Sequence, residues 1–268
     1  MILRRYHAIV LGIALLLSGA VSHSSYEPLR HQWPRPDISL TPPHPWIALT
    51  FDDGPHPVMT EKLLAVLKQE GVPGTFFVVG KMAVRYPGIV QEIAREGNEV
   101  ANHTFSHMNL TRMDNQRVLN ELGQTRSIIR RLTGQDSVLF RPPGGDYTKR
   151  TLRLATKAGY HMVLWSVLTK DVSGASVEAM RHRILRRSSD GAIVLMHSGI
   201  PNTIEMLPGV IEELRRQGYH FVTVSQLLGL DHPSGGYQPA PLPDRPVYPM
   251  AQRPAASSIS FHAAVPQS

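Results

Sequence analysis

The chain contains no cysteine among its 268 residues. Disulfide bonds and thiolate metal sites are therefore excluded, and any bound metal must use histidine nitrogens or carboxylate oxygens. A lipoprotein is excluded as well, because no cysteine is present to carry the lipid. Long hydrophobic runs are also scarce. The apolar segment Ala8–Ala20 is shorter than the roughly 20 residues that a membrane span usually needs.

The charge balance is basic, with a formal net charge of +7 at pH 7. This charge suits contact with anionic surfaces, but no basic patch interleaved with aromatic residues is present, so we expect no nucleic-acid partner. The hydrophobic fraction of 42% is sufficient for a normal core. The length allows one domain of roughly 200 residues with additional segments at its ends.

The N-terminus has the pattern of an export signal. Arg4 and Arg5 precede the apolar segment, and the small residues Ala20-Val21-Ser22 offer a cleavage site. We predict a signal peptide at residues 1–22, a secreted or periplasmic protein, and no stable membrane span after cleavage. An uncleaved membrane anchor is the alternative.

Proline divides the remaining chain into three parts. Residues 23–45 form a polar linker with several prolines, and residues 231–268 form a Pro-rich tail that we expect to be disordered in isolation. Residues 46–230 between them are predicted to be one catalytic domain. The sequence leaves the oligomeric state open.

Short apolar runs alternate with helix-like segments through this domain, which predicts an α/β fold with parallel strands buried on both faces. The predicted strands are Trp46–Phe51, Gly74–Val79, Asn98–Ala101, Ser137–Phe140, Tyr160–Trp165, Ala192–Met196 and His220–Val224. The predicted helices are Thr60–Glu70, Pro87–Glu96, Asp114–Leu132, Lys149–Ala158, Ser176–Arg187 and Thr203–Gln217. A glycine follows most of these helices, as a left-handed cap requires. Seven strands favour a closed or nearly closed barrel over an open doubly wound sheet.

Titratable residues collect at the C-terminal ends of the predicted strands. They are Asp52 and Asp53 after the first strand, His103 and His107 after the third, Arg141 after the fourth, Asp171 after the fifth and His197 after the sixth. In a parallel barrel these strand ends meet at one rim, where active sites are built. The sequence therefore predicts a functional site at that rim.

A metal centre can be assembled from three of these residues. His103 and His107 are four residues apart, so a helical turn would place both imidazoles on one face. With Asp53 they supply two nitrogens and one oxygen, the three-ligand set of a catalytic zinc site. Cobalt, nickel or manganese would fit the same ligands. The alternative interpretation is a pair of surface histidines beside a solvated Asp-Asp-Gly-Pro turn.

Four ordered motifs resemble those of the NodB-homology polysaccharide deacetylases, carbohydrate esterase family 4. They are Thr50–Pro55, His103–His107, Arg141–Gly145 and Leu195–His197. The resemblance covers roughly residues 46–228. It implies a single catalytic domain with a distorted (β/α)7 barrel of the NodB-homology type, which agrees with the seven strands predicted from the residue pattern.

The resemblance implies a role for each rim residue near the metal. Asp53, His103 and His107 would hold a divalent cation, most simply zinc. Asp52 would be the general base that takes a proton from water. Arg141 would pair with Asp52 and hold its orientation.

Four further roles concern the leaving group and the substrate. His197 would be the general acid that protonates the departing amine, and Asp171 would orient it. Leu195 would line the pocket for the acetyl methyl group. The backbone N–H of Gly144 would stabilise the oxyanion.

The chain departs from the family pattern at two places. Gly144 stands where the family commonly has an aromatic residue, with Tyr147 three residues later. Val172 follows Asp171 where tryptophan is usual. Both changes bear on substrate fit, and we expect Tyr147 and Trp165 to contact the sugar.

The resemblance implies a metal-dependent hydrolase that removes N-acetyl groups from an amino-sugar polymer. Peptidoglycan is the favoured substrate and chitin-like oligomers are next. An O-acetyl esterase or a small-amide deformylase on the same site remains a second hypothesis. A non-catalytic wall-binding domain that keeps only the fold is the third.

Overall fold

The computed structural model describes residues 45–230. The predicted signal peptide, the predicted linker up to residue 44 and the Pro-rich tail lie outside these residues. Within residues 45–230, none of the helices combines the length and apolar character that crossing a bilayer requires.

One parallel sheet of eight strands organises the described residues. The strands are β1 (Trp46–Gly54), β2 (Thr75–Val78), β3 (Glu99–Asn102), β4 (Leu139–Phe140), β5 (His161–Met162), β6 (Val167–Leu168), β7 (Ala192–His197) and β8 (His220–Phe221). The order across the sheet is β5-β4-β3-β2-β1-β7-β6, and β8 pairs with the first residues of β1. The sheet therefore curls around β1, the longest of these strands.

Eight α-helices connect the described strands. They are α1 (Met59–Glu70), α2 (Gly80–Arg85), α3 (Pro87–Arg95), α4 (Asn115–Thr133), α5 (Lys149–Lys157), α6 (Val177–Arg187), α7 (Pro201–Arg216) and α8 (Val224–Leu228). Three short 3₁₀ turns follow strands at the site end of the sheet, at Leu110–Arg112, Pro143–Gly145 and Asp171–Ser173.

Alternation along β1 separates the two faces of the sheet. Ile47, Leu49 and Phe51 pack in the large core formed with the helices. Ala48 packs on the inner face of the curl, in a smaller cluster with Phe77. Since successive strand residues point to opposite faces, Thr50 and Asp52 follow Ala48 onto the inner face.

Helix ends follow the local sequence signals. The side chain of Asp114 accepts a hydrogen bond of 2.9 Å from the Arg117 amide at the start of α4. Gly134 ends this helix in the left-handed conformation, at φ 73°. The glycine caps predicted after the helices are confirmed, since all of these glycines have positive φ. They are Gly71, Gly97, Gly134, Gly159 and Gly218.

The predicted α/β barrel class is confirmed, as a curled sheet with β5 and β6 as its edges among the described strands. The predicted strand Tyr160–Trp165 is reduced to β5, and β6 follows it to pair with β7. The carbonyls of Val163 and Leu164 accept hydrogen bonds from the Arg141 side chain instead of from a neighbouring strand. The sheet therefore has one strand more than the seven expected.

The predicted strand His220–Val224 is also shorter than expected. The side chain of Thr223 accepts from the Gln226 amide, and the Gln226 side chain accepts from the Thr223 amide. This capping box starts α8 at Val224 and ends the extended segment. The pattern Thr-x-x-Gln is visible in the sequence and could have predicted the helix.

Candidate metal centre and active site

The end of β1 separates the two adjacent carboxylates. Asp52 is buried, with 3% of its surface exposed, on the inner face of the sheet. Asp53 is half-buried and adopts a positive φ of 69°, which directs its side chain away from that of Asp52. The two adjacent carboxylates therefore occupy different environments.

Asp52 is held by a buried guanidinium. Arg141 Nη1 donates to Asp52 Oδ1 at 2.7 Å and to Thr50 Oγ1 at 2.8 Å. The other guanidinium nitrogens donate to Val163 O at 3.2 Å and to Leu164 O at 3.0 Å. These bonds fix the Asp52 carboxylate and leave its Oδ2 facing the site.

The Arg141 side chain has no exposed surface. Burial lowers the pKa of Arg141, and the charge of Asp52 opposes that effect. Its guanidinium lies 4.1 Å from the ring centre of Phe77 and 5.7 Å from that of Trp165. Because arginine stays charged in proteins, these contacts and Asp52 together compensate a buried cation.

Asp53 meets both histidines of the predicted metal centre. Asp53 Oδ1 lies 3.0 Å from His107 Nε2 and 3.3 Å from His103 Nε2. Burial raises the pKa of Asp53, but the hydrogen bonds and charges of the two histidines outweigh burial, so the net pKa is lowered. The hydrogen bond to Asp53 raises the pKa of His107.

The helical turn expected for His103–His107 is wrong. Thr104 and His107 have positive φ values of 66° and 59°, so the segment is an irregular loop. The Asn102 side chain accepts from the Thr104 amide at 2.8 Å, and Glu121 accepts from Ser106. These loop bonds, rather than helical spacing, bring the two imidazole rings to 5.0 Å between centroids.

The donor chemistry of the three residues fits a divalent cation. The Nδ1 of His103 lies 2.8 Å from the carbonyl oxygen of Arg141. A carbonyl can only accept, so Nδ1 carries a hydrogen and Nε2 of the neutral ring presents a lone pair. That lone pair faces the Asp53 carboxylate, so the two electron-rich atoms repel each other unless a cation or an extra proton lies between them.

The spacing of the donors fits as well. The three donor atoms lie within 4.8 Å of one another. Tetrahedral zinc with ligands at about 2.0–2.2 Å separates its donors by roughly 3.4 Å, close to the 3.0 and 3.3 Å found from Asp53 to the two histidines. One position of such a site would remain open for water or substrate.

The second histidine system lies on the other side of Asp52. β1 and β7 are adjacent and parallel, with Asp52 in register with His197. His197 Nδ1 lies 2.9 Å from Asp171 Oδ1. Asp171 Oδ2 accepts from the His197 amide at 2.8 Å and from Thr203 Oγ1 at 2.9 Å. Asp171 thus fixes both the backbone and the ring of His197.

Opposite pKa shifts accompany this pair. Burial raises the pKa of Asp171, but the hydrogen bond and charge of His197 outweigh it and the net pKa is lowered. Burial lowers the pKa of His197, but the hydrogen bond and charge of Asp171 outweigh it and the net pKa is raised. His197 is therefore favoured in the protonated form that a general acid requires.

The remaining predicted site residues lie around these two systems. Leu195 is buried in β7, in register with Thr50. Gly144 is exposed in the 3₁₀ turn after Pro143, at φ 65°. Tyr147 follows that turn and is 41% exposed. Trp165 is half-buried and packs over Gly145, whose missing side chain leaves room for the indole ring.

Two threonines of the site escaped the sequence prediction. Thr50 accepts from Arg141, and Thr203 donates to Asp171. Thr50 alternates with Asp52 on the inner face of β1, so strand periodicity could have indicated it. Thr203 lies in the first turn of α7, and no motif distinguishes it.

Comparison with known proteins agrees with this fold. The family profile described as polysaccharide deacetylase (Polysacc_deac_1) matches residues 39–163. A peptidoglycan-N-acetylglucosamine deacetylase of Bacillus cereus is 37% identical over 185 residues, which cover 68% of this chain and 67% of that protein. The chain belongs to the polysaccharide deacetylases, carbohydrate esterase family 4.

Two further relatives extend the comparison. The peptidoglycan-N-acetylmuramic acid deacetylase PdaC of Bacillus subtilis is 35% identical over 68% of this chain, which spans only 38% of that protein. The crystal structure of the Bc1960 peptidoglycan N-acetylglucosamine deacetylase superposes with a TM-score of 0.68 at 36% identity. That match covers 69% of this chain and 89% of the crystallised one. The relatives therefore differ in the sugar that their names specify.

Proposed function

We propose that this chain is a metal-dependent hydrolase that removes N-acetyl groups from an amino-sugar polymer, with peptidoglycan favoured and chitin-like oligomers next. One observation carries the proposal. Asp52 and His197 lie on adjacent strands, Asp52 paired with the buried Arg141 and His197 with the buried Asp171. Both pairs lie beside the three candidate metal ligands, Asp53, His103 and His107. The peptidoglycan deacetylases among its relatives support the substrate class.

Asp53, His103 and His107 would hold the cation, with zinc the first choice and cobalt, nickel or manganese as alternatives. When bound there, a divalent cation polarises the acetamide carbonyl and lowers the pKa of a water molecule. His103 Nδ1 donates a hydrogen bond to the Arg141 carbonyl oxygen, which fixes the ring with Nε2 directed toward the cation site.

Asp52 takes a proton from the attacking water molecule while the water oxygen forms a bond to the carbonyl carbon of the substrate. The pairing with Arg141 keeps the carboxylate oriented with Oδ2 toward the site. The backbone N–H of Gly144 donates to the developing oxyanion, and Leu195 lines the space for the methyl group.

His197 completes the reaction. Its Nδ1 is bound to Asp171, so Nε2 faces the leaving group and gives its proton to the amine nitrogen as the carbon–nitrogen bond breaks. Acetate and a free amino sugar are the products. The pKa of His197, raised by the hydrogen bond and charge of Asp171, favours the protonated ring that donates this proton.

A peptidoglycan substrate would place the protein in the cell envelope, which agrees with the predicted signal peptide. We propose a secreted or periplasmic location on these two grounds. Detection of the mature chain in the periplasmic or culture fraction, beginning near residue 23, is the expected result. Recovery of the full-length chain from the cytoplasm alone would contradict it.

Acetate release tests the proposed activity. Purified protein, stripped with a chelator and reloaded with zinc, should release acetate from muropeptides and from N-acetylglucosamine oligomers. The same assay is run on two alternative substrates, acetylated xylan and a formylated small amide. Acetate from xylan alone, or formate alone, would replace the proposal with the esterase or deformylase hypothesis. No turnover on any of these substrates would favour a non-catalytic wall-binding protein.

A further inference from the structure

The turn after β4 carries a carboxylate that the catalytic roles above do not use. Gly144 is exposed and has no side chain, and a Cβ placed there would meet only Asp146 Oδ2, at 4.0 Å. The space beside Gly144 is therefore open, and the Asp146 carboxylate lies at its edge.

Asp146 is held in place from the metal-binding loop. Asn109, two residues after His107, donates from Nδ2 to Asp146 Oδ2 at 2.8 Å. The amide oxygen of Asn109 is itself fixed, because it accepts from the amide and the hydroxyl of Thr111 at 2.9 and 2.6 Å. The Asp146 amide donates to Pro143 O at 3.2 Å. The carboxylate is thus prepositioned rather than freely rotating.

A cationic side chain in the first turn of the next helix, that of Arg150, is directed elsewhere. Arg150 donates to the Asn115 side chain at 2.9 Å and to the Met113 carbonyl at 2.7 Å. Asp146 forms none of the ion pairs found between residues 45 and 230. An ionised carboxylate has about four acceptor positions, and Asn109 takes one of them.

We propose that Asp146 is a specificity-determining residue that accepts a hydrogen bond from a hydroxyl of the sugar unit next to the one being deacetylated. This inference rests on the proposed function. Exposed Gly144 has no side chain to obstruct a neighbouring sugar ring, and Tyr147, exposed three residues later, offers an aromatic face. Recognition at this rim therefore uses a carboxylate that accepts from hydroxyl groups, with no side-chain wall at position 144.

The test compares a long sugar substrate with one that carries no sugar. The zinc-loaded full chain and its Asp146→Ala variant are assayed on the N-acetylglucosamine tetramer and on 4-nitrophenyl acetate. Loss of one hydrogen bond to a charged group should raise the KM for the tetramer about tenfold, with kcat changed less than about twofold. Glu212→Ala removes an equally exposed carboxylate from α7 and is the matched control.

A merely structural role gives a different result, since a disturbed turn would impair both substrates equally. Asn109→Ala, which releases the carboxylate, should raise the KM for the tetramer in the same direction. An unchanged KM in Asp146→Ala, or equal losses of activity on both substrates, would overturn the inference about Asp146 and leave the proposed function standing. A wild-type chain that cleaves 4-nitrophenyl acetate but no sugar oligomer would overturn the proposed function together with it.

Discussion

The division of labour between Asp52 and Asp53 depends on which face of β1 each residue occupies. Asp52 contacts Arg141 at 2.7 Å and its Oδ2 lies 3.7 Å from His103 Nε2, whereas Asp53 lies within 3.3 Å of both histidines. Two neighbouring carboxylates with different partners can perform different chemistry. The proposed base and the proposed ligand are therefore separable by substitution.

Asp52→Asn should lower kcat by about 10²–10⁴-fold, the usual contribution of a general base, while the chain retains its metal. His103→Ala should lose the metal as well as the activity. Metal content measured by plasma mass spectrometry, together with acetate release, separates the two effects. Loss of metal in Asp52→Asn would show that Asp52 is a ligand.

Asparagine is the better replacement because alanine would leave the buried charge of Arg141 without its carboxylate partner, which costs about 3–5 kcal/mol. A melting temperature measured for both variants checks this choice. Asp52→Ala should unfold at a clearly lower temperature than Asp52→Asn. Equal stability would indicate that Arg141 finds another acceptor.

The Asp171–His197 pair predicts a pH effect with a definite sign. Asp171 raises the pKa of His197, so the acid form persists to higher pH. Asp171→Asn removes that charge, and the alkaline limb of kcat/KM should move to lower pH. A profile measured from pH 5 to 10 tests this. An unshifted alkaline limb would assign that limb to another group.

At the scale of elements, the turn after β4 supports the buried arginine. A Cβ on Gly145 would lie 2.7 Å from the Trp165 ring, and Gly145 has a positive φ of 74°. Gly145→Ala should therefore lower the free energy of unfolding by about 1–3 kcal/mol and reduce kcat, because Trp165 and the Arg141 turn must move.

Gly123→Ala is the matched control. Gly123 lies inside α4, and nothing stands within 4 Å of the position of its Cβ. This substitution should stabilise the chain by about 0.5–1 kcal/mol. Urea unfolding measures both variants. Equal effects would mean that the packing at Trp165 is adaptable.

Sequence reasoning succeeded where one local signal specified the element. The apolar runs located β1 and β7, and the glycines located the helix ends. It failed for His103–His107, where the spacing suggested a helix but the bonds to Asn102 and Glu121 impose a loop. Those partners lie on other elements, so the spacing of the two histidines alone could not reveal them.

The interruption between β5 and β6 was missed for a similar reason. Residues 163–165 are as apolar as a buried strand, but the carbonyls of Val163 and Leu164 bind Arg141. A tertiary contact with a charged residue that follows another strand overrides the local pattern. The roles of the candidate site came from the family resemblance, and they stay predictions.

At the scale of the whole molecule, the candidate metal centre links β1 to the loop after β3. A cation that binds only the folded chain stabilises it by about 2.7 kcal/mol at 100 times its dissociation constant. For a domain of this size that corresponds to a rise of about 5–10 °C in Tm. Calorimetry of the stripped chain, with and without zinc, should show this rise.

His103→Ala should abolish the shift in Tm, while the matched surface variant Glu212→Ala should keep it. A zinc-dependent shift that survives in His103→Ala would place the binding site elsewhere in the chain. The absence of any shift in the wild type would contradict a resident cation.

Titration of the stripped protein with zinc, followed by acetate release from muropeptides in the same samples, tests the central claim most directly. The account predicts negligible activity without metal and a linear rise that saturates at one zinc per chain. Full activity after stripping, or zinc bound at one equivalent without any acetate released, would contradict it.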